Sequence, residues 1–383
     1  MLLDKCVKEY PKGSVPSYFL TNNREDRLVI LRNHLRLLKG KSSPGAPLLK
    51  YGKTNRAIID EYPDYIVESA YERLNLLSSV DSLDGKYRNN AMELVRKHFV
   101  DPVRLFVKNE PHNKLKASQK RWRLISSISV IDQLVERILY ENQNWLEIDN
   151  HEDIPSKPGM GLDDRNIEVL WKELSQWDKI AEADISGWDW CVQPWMMDFE
   201  VAARYMLAGK QCDEWYRAMK NRVYCETLSV FLLSDGRLYV QKKRGKRCSG
   251  SYATSSGNSR MRWAVGKLIG ADKIVTNGDD SCETPVERAV ELYTDLGLAV
   301  KTYEVSRDGS FEFCSTKFEK GVGYPIHWDR TFFRLLHNRY EKQLYDSFLK
   351  ELRHSPYLRP CVRVLEEIEW FPPGVECSPA VAA

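Results

Sequence analysis

Apolar residues recur along the chain with two periods, and the switches between them predict an order of elements for its central third. Val130, Ile131, Leu134, Val135, Ile138, Leu139, Trp145 and Leu146 fall at helical spacing, which predicts a helix that Ser129 can cap. A loop from Pro155 to Asp164 precedes a second helical stretch through Trp177, and Ile180 to Asp184 has strand character. Pro194 opens another helix, with Trp195, Met196, Phe199, Ala202, Ala203 and Met206 as its stripe. The pattern between 209 and 247 is broken and ends in a hairpin, Ser229 to Leu233 and Leu238 to Gln241 around Asp235-Gly236. Met261, Ala264, Val265, Leu268 and Ile269 predict a further helix.

Two short β-prone runs then flank Asn277-Gly278-Asp279-Asp280, a hairpin with a turn that Asn and Gly favour. A capping box of Thr284 and Glu287, with Pro285 at the first helical position, predicts a helix with the stripe Val286, Ala289, Val290 and Tyr293, stopped by Gly297. A strand over Leu298 to Thr302 follows. Two helices backing a small antiparallel sheet make this an α+β arrangement that brings Asp184 and Asp279-Asp280 to one sheet edge.

Composition narrows the class. The chain has 383 residues, 43% of them apolar and 11% aromatic, with a formal net charge of only +3. No global basic field marks a nucleic-acid partner, so local clustering carries that information. Nine cysteines are dispersed without a C-x-x-C pair, the expectation being reduced thiols in a cytosolic compartment and no structural zinc. The seven histidines show no metal-ligand spacing. Charge at Asp4 and Lys5 argues against a secretory signal, and no apolar run reaches the roughly 18 residues a membrane span needs. Gly40 to Gly52 is a Gly, Ser and Pro-rich loop.

Adjacent carboxylates repel, so a site that holds Asp279 and Asp280 together usually supplies positive charge, most simply a divalent metal. Gly-Asp-Asp alone also fits a solvated turn, and Asp184 alone also fits a cap. Lys242-Lys243-Arg244-Gly245-Lys246-Arg247 is either a solvated face or a phosphate-binding run. Trp188, Trp190 and Trp195 are read as core rather than stacking platforms.

The residues together resemble a viral RNA-dependent RNA polymerase of positive-strand type. Asp184-Ile-Ser-Gly-Trp-Asp189 has the form of its motif A, Ser249-Gly250 with Thr254 and Asn258 that of motif B, and Gly278-Asp279-Asp280 that of motif C. Lys108-Asn-Glu-Pro-His112 with Lys116, Arg121, Trp122 and Arg123-Leu124-Ile125 is similar to the sobemovirus and polerovirus group. The likeness covers roughly Lys108 to Phe318.

The resemblance implies a right-hand polymerase: N-terminal region and fingers at 1–178, palm with motif A at 179–208, a fingers insertion at 209–245, palm with motifs B to D at 246–308, and motif E with a small thumb at 309–383. It implies two Mg²⁺ or Mn²⁺ ions at Asp184, Asp279 and Asp280, about 3.5–4 Å apart. Asp189 and Asn258 would sense the ribose 2′-hydroxyl, Thr254 would support that pair, and Ser249 and Gly250 would meet the template and nascent pair. Lys116, Arg121 and Arg123 would hold the triphosphate, and the 242–247 run with Gly250 would contact RNA. Lys301 is the candidate general acid, with Arg307 competing, and Phe313-Cys314-Ser315 resembles motif E.

Implied partners are template and nascent RNA, nucleoside triphosphates, other viral replication proteins and a genome-linked protein primer, in the host cytoplasm or at membranes reached through partners. Both de novo and protein-primed initiation stay open. The alternatives are a reverse transcriptase, which generally has an aromatic gate where Asp189 stands, and a non-catalytic RNA-binding replication scaffold.

Overall fold

The computed structural model describes residues 2–110, 114–209 and 211–374, the side chain of Lys116 excepted. Helices come first: α1 (Leu2–Glu9), α2 (Arg24–Leu35), α3 (Asn55–Glu61), α4 (Pro63–Ser79), α5 (Leu83–Tyr87) and α6 (Ala91–Arg96). The basic stretch is split into β1 (Val103–Val107), α7 (Lys114–Ser118) and β2 (Leu124–Ser127), before α8 (Val130–Asp149) and α9 (Asp164–Leu174). The centre is β3 (Ala181–Ile185), α10 (Trp188–Cys191), α11 (Pro194–Leu207), α12 (Asp213–Thr227), β4 (Val230–Leu233), β5 (Leu238–Val240) and α13 (Thr254–Ile269). Next come β6 (Ile274–Asn277), β7 (Asp280–Glu283), α14 (Ala289–Asp295), β8 (Val300–Val305), β9 (Phe311–Phe313), β10 (Thr316–Glu319) and β11 (Val322–Pro325). The described chain closes with α15 (Trp328–Leu336), α16 (Lys342–Leu352) and α17 (Leu358–Glu367).

The sheet that matters for the site runs β6-β7-β3-β8, every neighbour antiparallel. On one face, Phe199, Ala203 and Leu207 of α11 and Trp263 and Ala264 of α13 pack with Ile274, and Cys6 and Tyr10 of the N-terminal segment join them. Gly266 lets α13 lie close on β6, because a Cβ there would run into Ile274. The other face is sealed by Ile167, Leu170 and Leu174 of α9 and by Phe311, Phe313 and Phe318. A second sheet, β2-β1-β4-β5, joins the basic stretch to the predicted hairpin, with β1 and β4 parallel. The α+β reading with small antiparallel sheets therefore holds. The last three helices form a separate cluster around Leu335, Phe348, Leu352 and Leu365.

Ser129 caps α8 by accepting the Asp132 N–H at 3.0 Å, and Pro194 occupies the first turn of α11, both as the pattern predicts. Three expectations need correction. The broken stretch after 209 contains the 15-residue helix α12, disguised because its inward stripe carries Arg222 and Glu226 among Trp215, Met219 and Val223. Buried Arg222 pairs with Asp132 at 2.8 Å and Glu136 at 2.7 Å, so charged residues occupy core positions without unpaired charge. The capping box does not form: α14 starts at Ala289, and the Thr284 hydroxyl accepts the backbone N–H groups of Asp272 and Lys273 instead. Helix α9 ends at Leu174, short of Trp177.

Candidate active site

Strand β3 ends where β7 begins. Ala181 pairs with Glu283 and Glu182 with Cys282, and continuing that register sets Asp184 level with Asp280. Asn277 pairs with Asp280, leaving Gly278 and Asp279 as a two-residue turn in which Gly278 takes φ 65°. Both carboxylates are open to solvent. Burial pushes Asp279 up and Asp184 adds to it. Asp280 is pushed up to about 6, by burial first and then by Asp279 and Asp184. Their charges thus repel within one site, opposed by the guanidinium of Arg262 below.

Cations approach from two sides. Lys301 forms an ion pair with Asp184, reached through a bulge between Asp184 and Ile185 in the pairing with β8. Arg307 lies beyond the other end of β8, lining a cleft with Trp171, Trp177 and Lys179 and not beside the Lys301 and Asp184 pair. Arg123 is exposed, donates to Glu110 at 3.2 Å and steadies the charge of Asp279. Arg121 is exposed beside it. Lys116 belongs to α7 but its side chain lies outside the described residues, as do Pro111 and His112.

Asp189 sits in α10, a turn made after Gly187 at φ 62°. Asn258, on α13, donates from Nδ2 to Asp189 Oδ1 at 3.4 Å, while its own Oδ1 is buried without a hydrogen-bond partner. Burial raises Asp189, with Asp279 contributing. An unpaired buried acceptor beside a carboxylate is equipped to take a hydroxyl donor. Ser249 Oγ accepts the Ser126 N–H at 3.1 Å and Gly250 N–H donates to Ser126 O at 3.0 Å, which ties the loop before α13 to β2. A Cβ on Gly250 would meet that carbonyl oxygen.

Several expected roles change. Thr254 donates to the carbonyls of Cys248 and Ser251 at 2.9 and 2.8 Å, so it shapes its own loop rather than supporting the Asn258 and Asp189 pair. Lys246 and Arg247 are buried, not RNA-facing: Lys246 Nζ contacts Cys248 Sγ at 2.8 Å and Arg247 pairs with Glu226 at 3.2 Å. Arg244 is turned onto Asp198 at 2.9 Å and Thr227 at 3.1 Å. Only Lys242 and Lys243 of that run are exposed. Trp190 is also exposed, at 54%, while Trp188 is core.

Among the described residues no group of three or more His, Cys, Asp or Glu side chains is gathered closely enough to hold a metal ion by itself. The donor chemistry nevertheless fits a hard cation, since Asp184, Asp279 and Asp280 offer carboxylate oxygens alone, and Mg²⁺ takes few carboxylates and completes its shell with phosphate and water. Among the described residues no helix is long and apolar enough to cross a membrane, and the eight described cysteines are free.

A family model described as viral RNA-directed RNA-polymerase matches residues 39–334. The chain belongs to that family. Similar proteins include the replicase polyprotein P2AB of Cocksfoot mottle virus, 38% identical over 94% of this chain and 39% of the relative. That of Southern bean mosaic virus is 40% identical over 83% of this chain and 33% of the relative. The RNA-directed RNA polymerase of Mushroom bacilliform virus is 34% identical over 83% of this chain and 80% of the relative. The chain thus spans between a third and two fifths of the two polyproteins. Potato leafroll virus protein P1-P2, 35% identical over 85% of this chain, adds a polerovirus relative to the sobemovirus ones.

Within this polymerase family member, the pattern did not reveal Arg262, Glu226 or Ser259. Arg262 is fully buried on α13, donates to Tyr293 Oη at 2.7 Å and lies 3.6 Å from Glu283 at the end of β7. Glu226 accepts the Cys248 N–H at 2.8 Å while holding Arg247. A charged residue on an otherwise apolar helical stripe was the one available signal.

Proposed function

We propose that this chain is an RNA-directed RNA polymerase that adds ribonucleoside triphosphates to an RNA 3′-hydroxyl during copying of a viral RNA. The observation that supports this most is the convergence of Asp184, Asp279 and the Asp189 and Asn258 pair with its unpaired buried acceptor. In this reading the β6-β7-β3-β8 sheet is the palm, the sheet from β2 to β5 belongs to the fingers, and α15 to α17 make a small thumb.

Two Mg²⁺ or Mn²⁺ ions held by Asp184 and Asp279, with Asp280 beside them, would supply activation of the hydroxyl and neutralisation of the departing pyrophosphate. Asn258 Oδ1 and Asp189 receive the ribose 2′-hydroxyl, and a deoxynucleotide would leave that buried acceptor unpaired. Arg123, with Arg121, binds the triphosphate, for which the guanidinium fork is suited. Lys301 holds a proton at Nζ within reach of Asp184 and delivers it to the leaving pyrophosphate.

The test is template-directed extension by purified protein with divalent metal. Asp184→Ala and Asp279→Ala should each lower extension on the order of 10³-fold, the worth of several kcal/mol of charge stabilisation, with RNA binding retained. Full activity in either variant removes the metal site, and efficient use of deoxynucleotides makes the enzyme a reverse transcriptase.

A further inference from the structure

Asn258 and its successor Ser259 reach different partners, because consecutive helical residues point about 100° apart. Asn258 reaches Asp189. Ser259, fully buried, accepts the Gly278 N–H on its Oγ at 2.8 Å and donates to Ser255 O at 2.8 Å. The residue that turns the catalytic hairpin therefore hangs from the residue next to the ribose-facing amide.

A second hydroxyl link makes the attachment rigid. Thr276, fully buried in β6, donates from Oγ1 to Ser259 O at 2.9 Å. Its own strand is pinned from outside, since Thr276 N–H donates to Pro155 O at 2.9 Å and Lys157 N–H to Thr276 O at 2.8 Å. The Ser156 hydroxyl lies 3.4 Å from that of Thr276 and 2.5 Å from that of Tyr10. Gly266 makes room for the Ile274 side chain of β6 against α13, so the helix packs closely on the strand that these hydrogen bonds tie to it. A small axial shift of α13 at Asn258 must be followed by Gly278, and with it by Asp279 one bond further on.

Resting on the polymerase reading, we propose that Ser259 is a positioning residue that couples recognition of the ribose 2′-hydroxyl at Asn258 to the placement of Asp279. Ribonucleotides then gain in kcat as well as in binding. The 2′-hydroxyl seats Asn258, Asn258 sets α13, and Ser259 carries that setting to the turn.

The test is single-nucleotide incorporation of matched ribo- and deoxynucleotides by the full chain. Losing one neutral hydrogen bond in Ser259→Ala should lower kcat for the ribonucleotide roughly 3–10-fold with KM unchanged. The kcat ratio of ribo- to deoxynucleotide should fall by the same factor, because the deoxynucleotide never used the link. Thr276→Val, which keeps the shape and removes the hydroxyl, should move the ratio in the same direction, and Thr276→Ser should restore it. In Asn258→Ala, adding Ser259→Ala should cost nothing more in ribonucleotide kcat. Equal losses for both nucleotides, or losses of Asn258→Ala and Ser259→Ala that multiply, mean a merely structural serine and overturn the proposal. If Ser259→Ala does not fold, Thr276→Val decides by the same ratio. A wild-type chain that extends no RNA overturns the functional reading and this coupling with it. An active chain with unchanged selectivity in the variants overturns the coupling alone.

Discussion

Arg247 separates a phosphate-binding run from an internal brace. Its guanidinium is 2% exposed and its partner Glu226 1%, and the other Glu226 oxygen accepts the Cys248 N–H. Arg247 N–H in turn donates to Asp189 O at 2.6 Å. Arg247→Ala leaves a buried carboxylate without its counter-charge, which costs about 3–5 kcal/mol. At an unfolding entropy of about 2.1 cal/mol/K per residue over 383 residues, the midpoint should fall by about 4–6 °C. Adding Glu226→Gln should recover part of the loss, since the uncompensated charge goes with it. Lys242→Ala with Lys243→Ala, both exposed, should leave stability within about 0.5 kcal/mol. Each phosphate contact they make should instead reduce the slope of log affinity against log salt by about 0.7 for single-stranded RNA. Thermal unfolding and RNA-binding anisotropy across a salt series read the two effects separately. An Arg247→Ala protein with an unchanged midpoint and a shallower salt slope would falsify this account.

Lys301→Met breaks an exposed pair with Asp184, so stability should change by at most about 1 kcal/mol. As the proton donor, the same change should lower kcat about 10²-fold and remove one limb of the pH profile; an intact profile removes Lys301 from that role. Glu182 accepts the Glu312 N–H at 2.8 Å, and burial pushes it up to about 7. The folded state therefore holds this proton more tightly than the unfolded chain. Its contribution is fully present below about pH 4.5 and is lost as pH rises through about 7. Compared with Glu182→Gln, the wild-type midpoint should decline across that window, and a flat or rising difference contradicts the assignment. Gly250→Ala forces a methyl group onto Ser126 O, which should cost about 1–3 kcal/mol and slow extension by displacing the loop; a variant with native stability and rate would show that the loop has room.

Local chemistry explains why so much was legible. Asn277-Gly278 before Asp279 predicts a tight turn because those residues tolerate its backbone angles, and the turn is there. Apolar stripes at helical spacing located α8, α11 and α13, since a helix with one buried face must repeat at that period. The pattern misleads where burial and polarity part company. Helix α12 hid because Arg222 and Glu226 sit inside on partners far away in the sequence. The Thr284 capping box was locally sound, yet the Thr284 hydroxyl binds the neighbouring turn and the helix starts later.

Residue identity alone supplied the candidate groups: the carboxylates of Asp184, Asp189, Asp279 and Asp280, the Asn258 amide and a set of cations. Where each one points was decided by the tertiary structure. Lys242 and Arg247 look alike in a run of charge, but one meets water and the other meets Glu226. Asn258 and Ser259 are neighbours on one helix, and only packing against β6 and α10 assigns one to Asp189 and the other to Gly278. The physical reason is that charge and hydrogen-bonding capacity belong to a side chain, whereas its partner and its dielectric surroundings belong to the fold.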